Sequence, residues 1–578
     1  MKNVELSQIF DQIAKILKIK GENPFKIRAY ENIVSVLNSL PTDIESIYRK
    51  GELNDIPGVG KAIAKKIEEY LTTNKLEYYE KLKETIPSGV IGFLDILEIG
   101  PKTARLLYEQ LGVDSIEKLE KAIEEHRIKD LPGMGEKSEE NILRGIKLYR
   151  KRHKRFLLGI ALPIAKKIKN HLGKMKEVKK INIAGSLRRR VETIGDIDIL
   201  AASTKPEKIM KEFISLPQTR EVLSEGLTKS TIITNENIQV DLRIVNPLSY
   251  GAALQYFTGS QNHNIKIRGL AQKKGLKINE YGVYDAVTDK KIAGEQEVKI
   301  YKTLNLPYIP SELREDRGEI ESALENKLPK IVEYSDIRGD LHIHSKWSDG
   351  NNTILQMAEA AEKSGFQYIA ITDHSQSLGV AGGLAIERIN EQIKKIKLLN
   401  QELSDFTILC GSEVDIKIDG SLDFPDEILS GLDIVIAAIH SGFKQDSKTM
   451  TRRIVNAMKN KWVHMIAHPT GRIIDYRDPY QIDMREIIKA AAETGTILEI
   501  NARPERLDLN DVYCRMAKDK GVQLAIGTDA HSTDGFRTME FGVSVARRGW
   551  LEKKDVINTL PLHKLLKRLR KKKEFNKL

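Results

Sequence analysis

Seven strand-like apolar runs in the C-terminal part of the chain begin near Gly339, Tyr368, Thr407, Asp433, Val463, Thr496 and Val522. Helical segments separate them, among them Ile354–Lys363, 386–403 and 484–493. Parallel neighbours need a crossover connection, and seven βα units in a row argue for a closed parallel barrel. Six of the runs end in residues able to hold a metal ion. His342 and His344 lie in Asp-Leu-His-Ile-His-Ser, with Asp349 just beyond, and His374, Glu413, His440 and His468 follow at successive strand ends. Asp529 and His531 complete the set. Imidazole with carboxylate is the ligand mix of Zn, Mn or Fe. Such barrels build their sites at the C-terminal ends of strands, so this fold would gather the nine residues into one cluster.

With 578 residues the chain exceeds one hydrophobic core and divides into several domains. Its net charge of +12 permits a nucleic-acid partner without requiring one. The basic excess is concentrated at 147–155 and at 564–573, where the alternative is a solvated terminal helix. The only cysteines, Cys410 and Cys514, exclude a disulfide framework and suit a reducing interior. There is no apolar run of membrane-spanning length, and the opening Met-Lys-Asn-Val-Glu-Leu-Ser is not a signal peptide. The expectation is a cytoplasmic, nucleoid-associated protein with no membrane partner.

Residues 1 to about 150 read almost wholly as helices, with Leu6, Ile9, Phe10, Ile13, Ile16 and Leu17 at helical spacing. A Gly-rich turn recurs three times, as Ile56-Pro57-Gly58-Val59-Gly60-Lys61, Leu97-Glu98-Ile99-Gly100-Pro101-Lys102 and Leu131-Pro132-Gly133-Met134-Gly135-Glu136. Each precedes a helix, where backbone N–H groups and the helix dipole favour a phosphate. These turns resemble the helix-hairpin-helix element, which grips the DNA backbone without reading bases. The third ends in Glu136 rather than a basic residue.

From about 155 the pattern becomes mixed α/β. Ile181–Ala184 runs into Gly185 and Ser186, followed by Arg188 and Arg189. Gly195 then opens Asp196-Ile197-Asp198, whose two carboxylates share one face of a strand. A further strand, 238–245, supplies Asp241. Three carboxylates on adjacent strands suit two divalent cations and in-line nucleotidyl transfer, with the Gly-Ser turn and the arginines on the triphosphate.

On these residues the whole chain resembles the bacterial and archaeal family X DNA polymerases that carry a C-terminal polymerase and histidinol phosphatase (PHP) domain. The run Ser249–Ser260 is similar to that family's thumb signature. The resemblance implies the following domains: lyase-like helical, 1–85; helix-hairpin-helix fingers, 86–154; nucleotidyltransferase palm, 155–242; thumb, 243–315; linker, 316–335; and a (β/α)7 PHP barrel, 336–578. It puts Tyr256 and Phe257 against the nucleotide sugar, Gly259 in the same pocket, Asn264 on the incoming base and Arg268 on the template. Gly58, Gly60, Gly100, Lys102, Gly133 and Gly135 become DNA contacts. Lys66 matches the Schiff-base lysine of the DNA polymerase beta lyase domain, with Lys26 and Tyr30 at its 5′-phosphate pocket; Lys61, Lys65 and Lys66 serve equally well as a phosphate-facing basic patch. The implied cofactors are two Mg²⁺ or Mn²⁺ in the palm and three Mn²⁺ or Zn²⁺ in the barrel. The implied partners are deoxynucleoside triphosphates and gapped or primer–template DNA with a 5′-phosphate, bound by a monomer. The implied activities are short-gap filling in base excision repair and 3′–5′ exonuclease. The rival is a barrel that hydrolyses a small phosphomonoester while the front half only tethers DNA. His464 and His563 fit no motif and are expected to be structural or exposed.

Overall fold

The computed structural model describes residues 2–39, 44–56, 58–73, 75–96, 98–153 and 155–575. Pro57 and Leu97 of the repeated turns lie outside the described residues, as do the side chains of 147–154, Lys571 and Lys573 in the two basic runs.

The front of the chain is helical and buries its own core, including Phe10, Leu17, Ile33, Ile67, Phe93 and Leu107. All three Gly-rich turns close with one hydrogen-bond pattern: Val59 N–H donates to Ile56 O (3.0 Å), Ile99 to Ile96 (3.2 Å) and Met134 to Leu131 (3.0 Å). Helices Lys61–Thr73, Pro101–Leu111 and Glu136–His153 follow them. The turn needs a left-handed residue, supplied by Gly58 (φ 87°) and Gly133 (φ 79°). The second turn puts Glu98 there instead (φ 73°), which strains the backbone at that position.

Behind it a five-stranded sheet runs in the spatial order Lys180–Ile183, Ile197–Ala202, Gln239–Val245, Lys229–Thr234, Thr219–Ser224. Only the pair Ile197–Ala202 and Gln239–Val245 is parallel, in a register that sets Asp198 opposite Asp241. Helices Tyr250–Thr258, Gln261–Lys273 and Glu297–Thr303 follow, with an antiparallel sheet of Leu276–Asn279, Gly282–Asp285 and Lys291–Ala293. Gly251 allows the first of these helices to touch the third: a Cβ there would lie 2.2 Å from the Gln296 backbone.

The charged stretch 316–335, expected to be a linker, is packed instead. Glu319–Leu324 form a helix, and Ile320, Ala323 and Ile331 join the hydrophobic cluster of the preceding segment. Its charge does not mark solvent exposure, because Glu319 is fully buried and faces His263 Nδ1 at 2.8 Å.

The C-terminal sheet has seven parallel strands in chain order: Gly339–Ile343, Tyr368–Ile371, Thr407–Asp415, Ile434–Ala438, Met465–Ile466, Ile497–Asn501 and Leu524–Gly527. The last returns to the first, since Asp529 N–H donates to His342 O and His344 N–H to Ala530 O, both at 2.9 Å. This is the expected barrel. Among the described residues both cysteines are free and buried, and no helix is long and apolar enough to cross a membrane. The basic tail forms helix Leu562–Phe575, which packs Leu565 and Leu569 on the barrel floor. Its Lys572 is buried and donates to Met458 O (2.9 Å) and Thr496 Oγ1 (2.5 Å), so this part of the tail is a plug rather than a free basic arm.

Candidate metal centres and nucleotide site

The barrel cluster is organised around Glu413, at the C-terminal end of the third strand and fully enclosed. Five imidazoles converge on its carboxylate: His342 (3.4 Å), His344 (3.5 Å), His374 (3.0 Å), His440 (3.3 Å) and His468 (2.9 Å). All nine predicted residues are brought together. Donor atoms of eight of them form three overlapping groups, His344, Asp349, His374 and His531; His342, His344 and Asp529; and His374, Glu413 and His440, while His468 joins through Glu413. His342, His344, His374 and His468 are buried, while Asp349, His531 and His440 form the solvent-facing lip. Two ligands sit on left-handed backbone, His468 (φ 28°) and Asp529 (φ 52°), the strain expected where a site dictates the chain path.

The charges are strongly coupled. Burial pushes His344 down to about 3, helped by the neighbouring His374 charge. Burial opposes protonation of His374 as well, but Glu413 and Asp349 outweigh it and lift that ring to about 10. Burial would raise Glu413, yet the charges of His440, His342 and His374 hold it well below the usual carboxylate range. His342 Nε2 and His344 Nε2 face one another at 3.1 Å, and the buried Nδ1 atoms of His344 and His468 have no hydrogen-bond partner. Opposed ring nitrogens and orphaned donors beside Glu413 and Asp529 are the chemistry of a set that shares cations, so the residues fit the implied metals.

Several supporting residues escaped the sequence reading. Glu499 accepts from His342 Nδ1 and from His468 N–H, each at 2.6 Å. Asp415 pairs with His440 Nδ1, and Asn501 donates to Asp529 Oδ2 at 3.1 Å. Asp373 accepts from Ser345 N–H (2.7 Å) and from Ser348 and Gln392 side chains (2.5 Å each), bracing the loop behind His344. Such outer partners fix ring orientation and tautomer. One signal was present: strand Ile497–Asn501 ends in none of the nine ligands, yet carries Glu499 and Asn501 inside an apolar run.

In the palm sheet Asp196 precedes the strand that bears Asp198, and Asp241 lies opposite on the adjacent strand. Burial, then the negative charges of Asp196 and Asp241, push Asp198 up to about 7. Asp196 is raised for the same reasons. Asp241 is held by Lys229 Nζ (2.6 Å) and by Thr231 Oγ1 (2.8 Å). Only the barrel, among the described residues, brings three or more donors within 4.8 Å of one another. The palm trio is looser, and Lys229 supplies the counter-charge. Uncompensated carboxylates with one displaceable lysine fit divalent cations. Gly185 (φ 61°) is required here, as a Cβ would lie 2.3 Å from Asp198 Oδ2. Ser186 follows it on the short helix Gly185–Arg188, and Gly195 lies next to Asp196.

The two arginines after the turn both reach Thr258 but pair with different carboxylates. Arg188 makes a bidentate pair with Glu297 (2.8 and 2.7 Å) and donates to Thr258 Oγ1 (2.7 Å), so it is spent in the segment beyond the palm. Arg189 donates to Thr258 O (2.5 Å) and Glu315 (3.0 Å), with its Nη1 3.3 Å from where a Cβ at Gly259 would be. Tyr256 and Phe257 meet edge to face at 5.2 Å, and the Arg243 guanidinium lies over the Phe257 ring. Asn264 donates to Tyr256 O (2.7 Å) and accepts from Gln255 (2.8 Å), while Arg268 is exposed on the same helix.

At the front, Lys26, Tyr30 and Lys66 do come together, around a residue the sequence reading missed. Tyr30 stacks on Tyr78 (6.3 Å between centroids), and Lys26 and Lys66 lie 5.5 and 5.0 Å from the same ring. Lys102 opens the second hairpin's helix beside Pro101. His464 is buried and accepts from Val435 N–H (3.0 Å), a structural role, and His563 is exposed.

Comparison with known proteins agrees with this layout. Residues 1–76 match a helix-hairpin-helix domain family, 91–147 a SAM-like helix-hairpin-helix tandem, 253–315 the DNA polymerase beta thumb and 340–503 the PHP domain. The chain is 40% identical over 564 residues to the DNA polymerase/3′-5′ exonuclease PolX of Bacillus subtilis, covering 97% of this chain and 98% of that one. A probable phosphatase of Thermoanaerobacter is 33% identical over 232 residues, 38% of this chain and 89% of its own. DNA polymerase lambda of Rattus norvegicus is 25% identical over 336 residues, 53% of this chain and 55% of its own. The chain belongs to the family X DNA polymerases that carry a PHP domain.

Proposed function

We propose that this protein is a DNA-directed DNA polymerase that fills short gaps during repair, and that its barrel removes 3′ nucleotides by metal-dependent hydrolysis. The observation that carries the reading is the presence, on one chain, of two separate ligand sets: Asp196, Asp198 and Asp241 on the sheet, and nine residues at the barrel mouth. The domain boundaries given above, without the linker at 316–335, mark the division of labour. In the sheet site the three aspartates would hold two Mg²⁺ or Mn²⁺ ions, with Lys229 moving aside from Asp241. Bound there, such ions neutralise the triphosphate and the charge developing on attacking and leaving oxygens. Gly185 and Ser186 offer backbone and hydroxyl donors to the triphosphate, Arg189 its guanidinium, and the Tyr256–Phe257 pair a wall against a ribose 2′-hydroxyl. Asn264 faces the base edge and Arg268 the template. In the barrel, nine ligands suit three Mn²⁺ or Zn²⁺ ions.

The helix-hairpin-helix turns at Gly58, Gly60, Gly100, Gly133 and Gly135, with Lys102, would hold the DNA backbone of a gapped duplex. Lys26, Tyr30 and Lys66 around Tyr78 form a pocket for a 5′-phosphate, with Lys66 as the amine for a 5′-deoxyribose-phosphate lyase step. The protein acts as a monomer on chromosomal DNA in the cytoplasm. The match of the barrel to a probable phosphatase favours, as a second reading, hydrolysis of a small phosphomonoester at the same site. One experiment separates the two. Purified protein with Mn²⁺ is given a gapped duplex, a 3′-labelled single strand and p-nitrophenyl phosphate. The proposal expects primer extension and release of 3′ nucleotides; phosphate release from the small ester without nucleotide release would replace it with the second reading. Borohydride trapping on an abasic 5′ end, absent in Lys66→Ala, tests the lyase assignment.

A further inference from the structure

Arg548 is the last residue of barrel helix Met539–Arg548, remote in sequence from the palm and absent from every motif above. Its side chain is only 7% exposed and uses its whole fork. Nε and Nη2 donate to Asp511 Oδ2 at 3.0 and 2.8 Å. Nη1 leaves the barrel, donating to the backbone carbonyl of Arg189 (2.7 Å) and to Glu315 Oε1 (2.8 Å). The same Glu315 oxygen accepts from Arg189 Nε at 3.0 Å. Arg317 braces the far end through Asp511 (2.9 Å). A row of alternating charges, Arg317, Asp511, Arg548, Glu315 and Arg189, therefore joins the barrel to the turn that follows Gly185.

Each contact constrains something specific. The carbonyl of Arg189 ends the helix Gly185–Arg188, whose Arg189 N–H donates to Gly185 O at 3.3 Å, so the bond from Arg548 fixes the far end of the Gly-Ser turn. Glu315 is shared between two guanidiniums, and that sharing decides how firmly it holds Arg189. Remove Arg548 and a largely buried carboxylate keeps Arg189 as its remaining arginine, drawing that guanidinium away from an incoming anion. A planar fork with donors on three nitrogens is needed, and a lysine cannot reproduce it.

We infer that Arg548 is a positioning residue for nucleotide binding in the palm: through Glu315 and the Arg189 carbonyl, the barrel sets the Arg189 guanidinium that meets the triphosphate. The inference rests on the reading of Arg189 as the triphosphate arginine. The test is single-nucleotide gap filling by the full chain, with KM for the nucleotide and kcat measured for Arg189→Ala, Arg548→Met, Arg548→Lys and the double variant Arg189→Ala/Arg548→Met. Exonuclease activity on single-stranded DNA reports that the barrel remains folded. Arg548→Met is expected to raise KM by about tenfold, the size of about one hydrogen bond, with a smaller change in kcat. Arg548→Lys falls between it and the parent, and the double variant is no worse than Arg189→Ala alone. If Arg548→Met compromises folding, Arg548→Lys with intact exonuclease decides the matter. An unchanged KM in the Arg548 variants, or effects that multiply in the double variant, would overturn the inference while leaving Arg189 in its role. An unchanged KM in Arg189→Ala removes the underlying reading, and the inference with it.

Discussion

Glu499→Gln is the sharpest test of how the barrel holds its metals. The carboxylate is fully buried: Oε1 takes His342 Nδ1–H and Oε2 takes the His468 N–H, each at 2.6 Å, with a longer bond from Asn501 Nδ2 to Oε2 (3.4 Å). An amide has the same shape but only one acceptor oxygen, so in either orientation its NH₂ confronts one of those donors. A buried donor left unmet costs about 1–3 kcal/mol. Mutation of comparable outer residues lowers metal affinity or activity about 10–100-fold, or about 1.4–2.7 kcal/mol. Oε1 occupies the space that a Cβ at Gly527 would fill, 2.2 Å from it, so the glycine makes the room in which this carboxylate sits. His342 would lose the bond that keeps its proton on Nδ1 and its Nε2 free for the cluster. Mn²⁺ titration calorimetry, metal content after gel filtration and degradation of a 3′-labelled strand measure the effect. The expected result is weaker Mn²⁺ binding, an exonuclease loss of that order which higher Mn²⁺ restores, and unaltered gap filling. Parental Mn²⁺ affinity and exonuclease rate in Glu499→Gln would refute the reasoning.

Three further outcomes follow from the palm. Asp196→Ala/Asp198→Ala should abolish nucleotide addition while DNA affinity changes little in a binding assay, since backbone contacts elsewhere supply it. Tyr256→Ala should weaken discrimination against ribonucleotides, read as the ratio of kcat/KM for the two sugars. The third is a pH dependence. With Asp198 raised from 3.8 to about 7, the ion-free fold loses stability as pH rises across that interval, because ionisation is penalised in the folded state. A cation must displace that proton, so palm metal affinity should rise with pH and level off above about 7, the value for Asp198. Flat calorimetric affinity between acid and neutral pH would contradict it.

The ligand cluster was legible because strand ends are punctuated in sequence: an apolar run, then His, Asp or Glu. The same rule is blind to Glu499, which lies within a strand, and gives no reason to add Asp415 at a strand end already marked by Glu413; each is meaningful only once its buried partner is known. Tyr78 was invisible because nothing local distinguishes it from Tyr79; only the fold brings Tyr30, Lys26 and Lys66 around it. Arg188 and Arg189 are equivalent as letters, yet one pairs with Glu297 and the other with Glu315, partners far along the chain that only the fold assigns. Composition misled at 316–335 because a buried carboxylate held by a hydrogen bond, such as Glu319 against His263, counts the same as a charge in water.

Gly159, on helix Leu158–Leu172, has its Cβ position 2.4 Å from the Pro504 side chain, so palm and barrel touch where any larger residue would force them apart. One hydrophobic cluster runs from Phe156 and Ala161 through Ile199 and Val240 to Ile343, Phe541 and Val556, whereas residues from Leu6 to Ile146 form another. On heating, the sheet and the barrel are therefore expected to melt as a single calorimetric transition, with the front helices free to give their own. The natural cut for a crystallisable or evolvable fragment then falls after the helical front. A cut near residue 336 would sever the Val332–Leu551 backbone hydrogen bond (2.8 Å) and leave Phe541 without its cover. Two chemistries that look modular in sequence would be inherited as one folding unit.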